Sequence, residues 1–433
     1  MIEILKIGIN NTAKIEDIIK KNYLENNAIE EVEKIVRKII SKVKSQGDNA
    51  LLEFTTKYDG VNLKPDEILV KPEEFEIARK KIDKDLLEII KEAVGRIKRY
   101  HMHQKENSWF TTEEKGIILG QIVNPVERVG LYVPGGTAAY PSTLMMSVIP
   151  AKIAGVKEIA VVNPPDRNGD INPYVLITAK ELDISEIYKI GGAQAIAALA
   201  FGTKTVKKVN KIVGPGNTYV TLAKKNVFGM VDIDMMAGPS EILIWADEKA
   251  DARYIACDLL SQAEHDREAT SILITDSESL AIRVMAEIKN QQEDMVRKDI
   301  VEASLTKQGK IIIAEDEKII IDFINRFAPE HLELQVENPW QKLSEIKNAG
   351  SIFLGAYSPE PLGDYWAGPN HIIPTSRGAR SFSPLTVSTF LKKSSIICYD
   401  RERLKRDGKK IASLARLEGL DAHARSIDVR NEE

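Results

Sequence analysis

Apolar residues recur at intervals of three and four along AIEEVEKIVRKIISKVKSQGDNALLEFTTKYDG and in the charged run beyond it. Helices are therefore expected over roughly residues 28–100, with Gly60 and Pro65 as breaks. From Glu127 onward the pattern changes. Short runs rich in β-branched residues (VGLYVPGG, EIAVVNPP, EIYKIGGAQ, KIVGPGN, EILIWAD, TSILITD, GKIIIAED, GSIFLG) alternate with helical stretches. Strand then helix, many times over, predicts an α/β fold with largely parallel sheets, because parallel neighbours need a crossover, usually a helix.

Roughly ten such units exceed one doubly wound sheet. A Gly-Pro-Ser turn before Glu241 is a natural point for the chain to switch sheets. Two Rossmann-like parallel-sheet domains are expected, with an N-terminal and a C-terminal arm. The boundaries read as an arm over 1–24, a first domain from 25–104 with 239–324, a second from 105–238 with 325–380, and an arm over 381–433. Detached arms of this kind often pack on a second subunit.

Lys and Arg total 60 against 64 Asp and Glu, a net charge of −4, so no bulk positive field gathers nucleic acid or anionic lipid. Small molecules or protein are the expected partners. The two cysteines, Cys257 and Cys398, are far apart and form no CxxC, which argues against a disulfide scaffold or a thiolate cluster and suggests a reducing cytoplasm. The start has no basic leader with an apolar core, and no run of about 18 apolar residues follows, so neither export nor a membrane span is expected.

With only six histidines, their positions carry weight. Gln262 and His265 in LLSQAEHD lie three apart near the end of a helix expected from about Ala250, a spacing that puts two ligands on one face. Glutamine is a poor ligand, and the same spacing serves a surface or cap. In APEHLEL, Pro329 must stop the preceding helix, which leaves Glu330 and His331 at a helix-to-strand junction. Neighbouring Glu and His suit proton transfer, since desolvation raises a Glu toward the range where His titrates; a solvated loop is the alternative. Asp364 and His371 flank a turn containing Trp366 and Asn370, a pattern that fits a metal or substrate site or a plain turn. Glu418 and His423 stand in the tail, where exposed helix positions are equally compatible. His101 and His103 fall in a polar helical run and read as a solvated face, while Cys257 in the apolar YIACDLL reads as a buried, inert thiol.

Three glycine turns close strands: Gly135-Gly136 after Tyr132, Gly191-Gly192 before Gln194, and Gly216 before Asn217. A strand, a glycine turn and a helix N-terminus present amide N–H groups to phosphate or diphosphate, although tight turns also occur without ligand. The GxGxxG fingerprint is absent, with Tyr219 where its last glycine would fall, and neither GxxxxGK[ST] nor HExxH occurs.

The segments VGLYVPGG, YPSTLMMSVIPAKIAGV, GGAQAIAALAFGT, VGPGNTYV, AGPSEILIWAD, DLLSQAEHD, APEHLEL, GSIFLGAYSPEPLGDYWAGPNHIIPT and LEGLDAH follow one another and, with GDNALLEFTTKYDG, cover nearly the whole chain. Together they resemble the histidinol dehydrogenase family. The resemblance implies oxidation of L-histidinol through the aldehyde to L-histidine with two NAD, the last steps of histidine biosynthesis, in a homodimer with one zinc per subunit. It implies Gln262, His265, Asp364 and His423 as zinc ligands and Glu330 and His331 as the acid–base pair. Ser240, His371 and Glu418 would contact substrate together with Gln262, His265, His331, Asp364 and His423. Tyr132, Gln194 and Asn217 would contact NAD, in the second domain. It further implies that the tail of one subunit, with Glu418 and His423, completes the site of the other. The turn departs from the family in having Trp366 where a small residue is common and Pro369 where a threonine stands, which touches its shape and its metal or substrate affinity.

A metal-dependent hydrolase would use the same His, Asp and Glu set with metal-bound water, but it has no use for three diphosphate-ready turns. An inactive binding relative would be expected to have lost one of Gln262, His265, Glu330, His331, Asp364, Glu418 and His423, and all seven are present. Such a ligand set suits zinc, manganese or cobalt alike.

Overall fold

The computed structural model describes residues 2–8, 13–21, 26–135 and 139–432. Gly136, half of the first expected glycine turn, lies outside them. Two parallel sheets form the body. The larger has six strands in the spatial order Glu3–Ile7, Lys310–Ala314, Thr270–Thr275, Glu241–Ala246, His331–Gln335 and Ser351–Leu354. The smaller has five, ordered Ile187–Tyr188, Glu158–Val162, Arg128–Tyr132, Lys211–Val213 and Asp232–Ile233. A separate three-stranded antiparallel sheet joins Leu391–Tyr399, Ile117–Pro125 and Trp109–Thr111.

The central strands EILIWA, TSILIT and RVGLY are buried along their whole length, because helices cover both faces. That is why they read as unbroken apolar runs rather than as alternation. The helix Glu317–Phe327 shows the complementary pattern, with Ile319, Ile320, Phe323, Ile324 and Phe327 on the face that meets the six-stranded sheet. Asp316 caps its first turn by accepting from the Ile319 N–H at 3.0 Å. Ala328 ends it in the left-handed region at φ 52°, and Pro329 prevents its resumption.

The α/β class with two parallel sheets agrees with the sequence pattern, whereas the strand pairing redraws the expected boundaries. The helix Asn26–Gln46 packs on Gly192–Phe201 and Thr218–Val227, and the helices Pro72–Lys81 and Lys84–Met102 pack on Pro173–Glu181 and Pro141–Ala154. Residues 25–104 thus belong with the five-stranded sheet, not with 239–324. His331–Gln335 pairs with Glu241–Ala246 and Ser351–Leu354, so 325–354 belongs with the six-stranded sheet, not with 105–238, while Trp366 and Ile372 pack against the core of the five-stranded half. Residues 3–7 form the edge strand of that sheet, beside Lys310–Ala314, rather than an arm. Patterning along the chain marks each strand but not its neighbour, which non-local packing selects.

Beyond residue 381 the strand Leu391–Tyr399 joins the antiparallel sheet, and the helices Arg401–Leu417 and Asp421–Asn431 pack on each other as a hairpin. Among the described residues no helix is long and apolar enough to cross a membrane.

The core of the six-stranded sheet yields a stability prediction. Phe323, fully buried against Phe327 with ring centroids 5.7 Å apart, should cost about 3–5 kcal/mol when changed to Ala. Trp340→Ala, at a position 75 % exposed, should stay within about 0.5 kcal/mol. Urea unfolding followed by circular dichroism checks both, and equal shifts for the two variants would refute the assignment of this core.

Candidate active site

The left-handed turn at Ala328 and the start of the His331–Gln335 strand place Glu330 and His331 at the amino edge of the six-stranded sheet. Both are 6 % exposed. The first residue of the neighbouring strand, Glu241, engages both. Its N–H donates to Glu330 Oε2 at 2.7 Å, and its carbonyl lies 3.0 Å from His331 Nδ1. A carbonyl only accepts, so Nδ1 carries the ring proton and Nε2 keeps a lone pair. Nε2 lies 3.7 Å from Glu360 Oε1.

Electrostatics follow from this burial. Desolvation lowers the His331 pKa to about 4, outweighing the charge of Asp364 and the hydrogen bond to Glu241, so the ring is neutral at pH 7. Desolvation raises Glu330 well above the usual carboxylate range; the Glu241 N–H and the Ser240 side chain oppose it, while the charges of Glu241 and Asp364 add to it.

The third part of the site is a short helix, Glu360–Tyr365, which follows Pro359. One turn apart on it stand Glu360 and Asp364, and with His265 their ligand atoms all lie within 4.8 Å of one another. Burial pushes Asp364 up, but the hydrogen bond from His371 and the charges of His371, His331 and His265 hold it at about 2. Burial and the proximity of Asp364 raise Glu360 to about 10. Three residues before His265 and bonded to its N–H through the backbone, Gln262 on the helix Ala252–Ala263 is 1 % exposed, and both its amide oxygen and its amide nitrogen lack a hydrogen-bond partner. Two carboxyls and an imidazole whose ligand atoms converge, with a buried amide left unpaired on the segment that carries the imidazole, are the donor types a divalent cation satisfies, so these residues fit a metal.

His371 Nδ1 lies 3.1 Å from the Asp364 carbonyl oxygen and 3.4 Å from its carboxylate. Its Nε2 lies 3.3 Å from Thr143 Oγ1, in the first turn of the helix that follows the Arg128–Tyr132 strand. This contact, with a hydrogen bond from Gly238 to Thr375, joins the amino edge of the six-stranded sheet to the carboxyl edge of the five-stranded one. A cavity of about 480 Å³, lined by His331, Phe353, Leu362, Asn370, His371 and Leu385, opens beside the cluster.

Tyr132, Gln194 and Asn217 all lie at the carboxyl edge of the five-stranded sheet. Tyr132 Oη accepts from the Gly192 N–H at 3.0 Å, Gln194 Nε2 is 3.5 Å from Asp59 Oδ2, and Asn217 caps the helix Thr218–Val227. The glycine turn between them is fixed from three sides. Gly214 has φ 120°, its N–H donates to Asp234 Oδ2 at 2.8 Å, and its carbonyl accepts from buried Lys224 at 2.9 Å. A Cβ there would lie 2.2 Å from the Tyr132 carbonyl oxygen.

Several local expectations change. His265 lies two residues beyond the end of its helix, held by an N–H to Gln262 O bond of 3.3 Å, so a shared helix face is not what aligns the two. Asp364 flanks the turn as expected, from the last residues of a short helix. His101 is fully buried, because it continues the Ile90, Ala93 and Ile97 face of its helix, and its Nε2 accepts from Asn370 Nδ2 at 3.2 Å. Cys257 is exposed on the outer face of its helix. Trp366 lies under the Arg96 guanidinium, 4.5 Å from its ring centroid. Glu418 and His423 sit exposed on the helical hairpin; among the described residues the metal-compatible group does not include His423. Glu360 was missed from sequence, although its spacing of four from Asp364 just after a proline was a readable sign.

A family model described as histidinol dehydrogenase matches residues 23–431. Proteins named histidinol dehydrogenase from Listeria monocytogenes and Bacillus subtilis are 51 % and 52 % identical, covering 98 % and 93 % of this chain and 99 % and 93 % of their own lengths. A crystal structure of histidinol dehydrogenase from Elizabethkingia anophelis superposes with a TM-score of 0.94 at 36 % identity, over 100 % of this chain and 99 % of that one. These matches leave the hydrolase reading without support. The chain belongs to the histidinol dehydrogenase family, oxidoreductases that act on histidinol in histidine biosynthesis.

Proposed function

We propose that the chain converts L-histidinol through histidinaldehyde to L-histidine with two NAD and one zinc per subunit, as a cytoplasmic homodimer. The observation that carries the reading is the neutral His331 ring, pinned at Nδ1 by the Glu241 carbonyl with Nε2 turned toward the metal-compatible group. Gln262, His265 and Asp364 would hold the zinc, with His423 of the partner subunit completing the set. When bound, zinc supplies a Lewis-acidic anchor for the substrate's nitrogens, and NAD supplies the hydride acceptor in each two-electron step.

The chain's own residues do the proton work. His331 Nε2 accepts the hydroxyl proton of histidinol as the carbinol hydride leaves, giving the aldehyde. The Glu241 N–H and the Ser240 side chain offset part of the burial that raises Glu330, and its ionised fraction, a stronger base for that rise, deprotonates the water that adds to the aldehyde carbon. His331 returns its proton to the aldehyde oxygen as the hydrate forms and, neutral again, takes a hydroxyl proton of the hydrate as the second hydride leaves, giving the carboxylic acid. Ser240, His371 and Glu418 of the partner subunit would position the substrate. Tyr132, Gln194 and Asn217 would meet NAD where the two sheet edges join.

No thiol step is required. Cys257 is exposed at the surface, where partial desolvation and the nearby charges of Asp258 and Glu264 raise its thiol, which favours the unreactive protonated form. Cys257→Ser should therefore keep most of the turnover; its loss in a folded, zinc-loaded protein would overturn the hydration route. Glu330→Gln should slow oxidation of added histidinaldehyde by about 100-fold or more while slowing alcohol oxidation less. Equal losses in the two half-reactions would remove Glu330 as the water activator. The reading as a whole is tested by counting NADH per L-histidinol consumed. Two are expected, with activity abolished by a chelator and restored by zinc; none from folded, zinc-loaded protein would refute it.

A further inference from the structure

On the same face of the strand that begins with His331 stand Glu333 and Gln335, since side chains two apart point the same way. Both are buried, and Asp258 meets them from the helix Ala252–Ala263. Gln335 Nε2 donates to Asp258 Oδ2 and to Glu333 Oε2, each at 2.9 Å. Burial raises the pKa of both carboxyls, Glu333 well above the usual carboxylate range. Glu333 Oε1 accepts from the Glu360 N–H at 2.9 Å, the first amide of the helix that presents Glu360 and Asp364.

Two acids and an amide, Asp258, Glu333 and Gln335, at 8 %, 1 % and 6 % exposure, are costly occupants of a buried helix–strand contact. Well-packed aliphatic side chains would serve stability better. What the polar set does that aliphatics cannot is fix three elements at hydrogen-bond length. Asp258 is one helical turn before Gln262, on the helix whose end carries His265. Glu333 is two residues after His331. The Glu360 amide starts the helix of Asp364.

We propose that Asp258, Glu333 and Gln335 are positioning residues that set the separation between the Gln262–His265 end of one helix and the Glu360–Asp364 helix, and so set the affinity of the metal site. The inference rests on the reading that His265 and Asp364 bind a divalent cation. Glu333 is the hub, since its two oxygens reach both neighbours. Removing it frees the start of a helix of only six residues, which has little else to hold its N-terminus.

The test is zinc affinity of the metal-free full-length protein, by competition with a chromophoric chelator, alongside its thermal unfolding midpoint and its NAD affinity. Glu333→Ala should weaken zinc about 10–100-fold, the range expected when a group behind the ligands is lost, with NAD affinity unchanged. Glu333→Gln, which keeps an acceptor for the Glu360 N–H and can donate to Asp258, should stay near the unsubstituted protein. A purely structural role would lower the unfolding midpoint and leave zinc affinity unaltered, and that result overturns the proposal, as does Glu333→Gln weakening zinc as much as Glu333→Ala. Should Glu333→Ala fail to fold, Gln335→Met, which removes only the bridging amide, must show the same loss, and unchanged affinity there is equally fatal. Failure of the unsubstituted protein to bind zinc would instead refute the cation reading beneath it.

Discussion

One backbone unit organises the chemistry of this protein. The N–H of Glu241 holds Glu330 and its carbonyl holds His331, so the relative placement of the two candidate catalytic groups is inherited from the pairing of two parallel strands. A site built on paired strands is held more precisely than one built on loops. It also decides the protonation pattern. A carbonyl at Nδ1 admits one tautomer, and burial keeps the ring neutral, so the free lone pair faces the metal-compatible cluster.

The architecture is unusual in where it puts that site. Open parallel sheets generally bind ligands at the carboxyl ends of their strands, and that is the edge of the five-stranded sheet at which Tyr132, Gly192 and Asn217, the proposed nucleotide side, stand. The six-stranded sheet does the reverse, gathering Glu241, Glu330 and His331 at its amino edge. Under the proposed function, joining opposite edges would let a nucleotide held by one sheet meet a substrate held by the other. The contact of His371 with Thr143 and that of Asn370 with Met146 O, at 2.7 Å, lie on this junction.

Much of this was readable in the residues. Unbroken apolar runs at EILIWA and TSILIT signalled strands covered on both faces, and Pro329 signalled the junction that places Glu330 and His331. The ordered motifs carried the family resemblance. What could not be read was adjacency. Nothing local says that the strand at His331 lies beside the one at Glu241, and the expected boundaries therefore joined the wrong segments. The same gap hid Glu241, Glu333 and Asp258, acids whose meaning lies in what they face. His101 was misread for a different reason: its spacing of four from Ile97 puts it on the apolar face, but the polar composition around it suggested solvent.

The state of the His331 ring decides between this account and a different arrangement of the same residues. With ¹⁵N-labelled histidine and a His331→Gln variant for assignment, the nitrogen shifts of the zinc-loaded protein at neutral pH report which ring nitrogen holds the proton. A protonated Nδ1 and a bare Nε2 are expected. A proton on Nε2 instead would mean that the Glu241 carbonyl does not set the tautomer, and His331 could not be the base that opens the reaction.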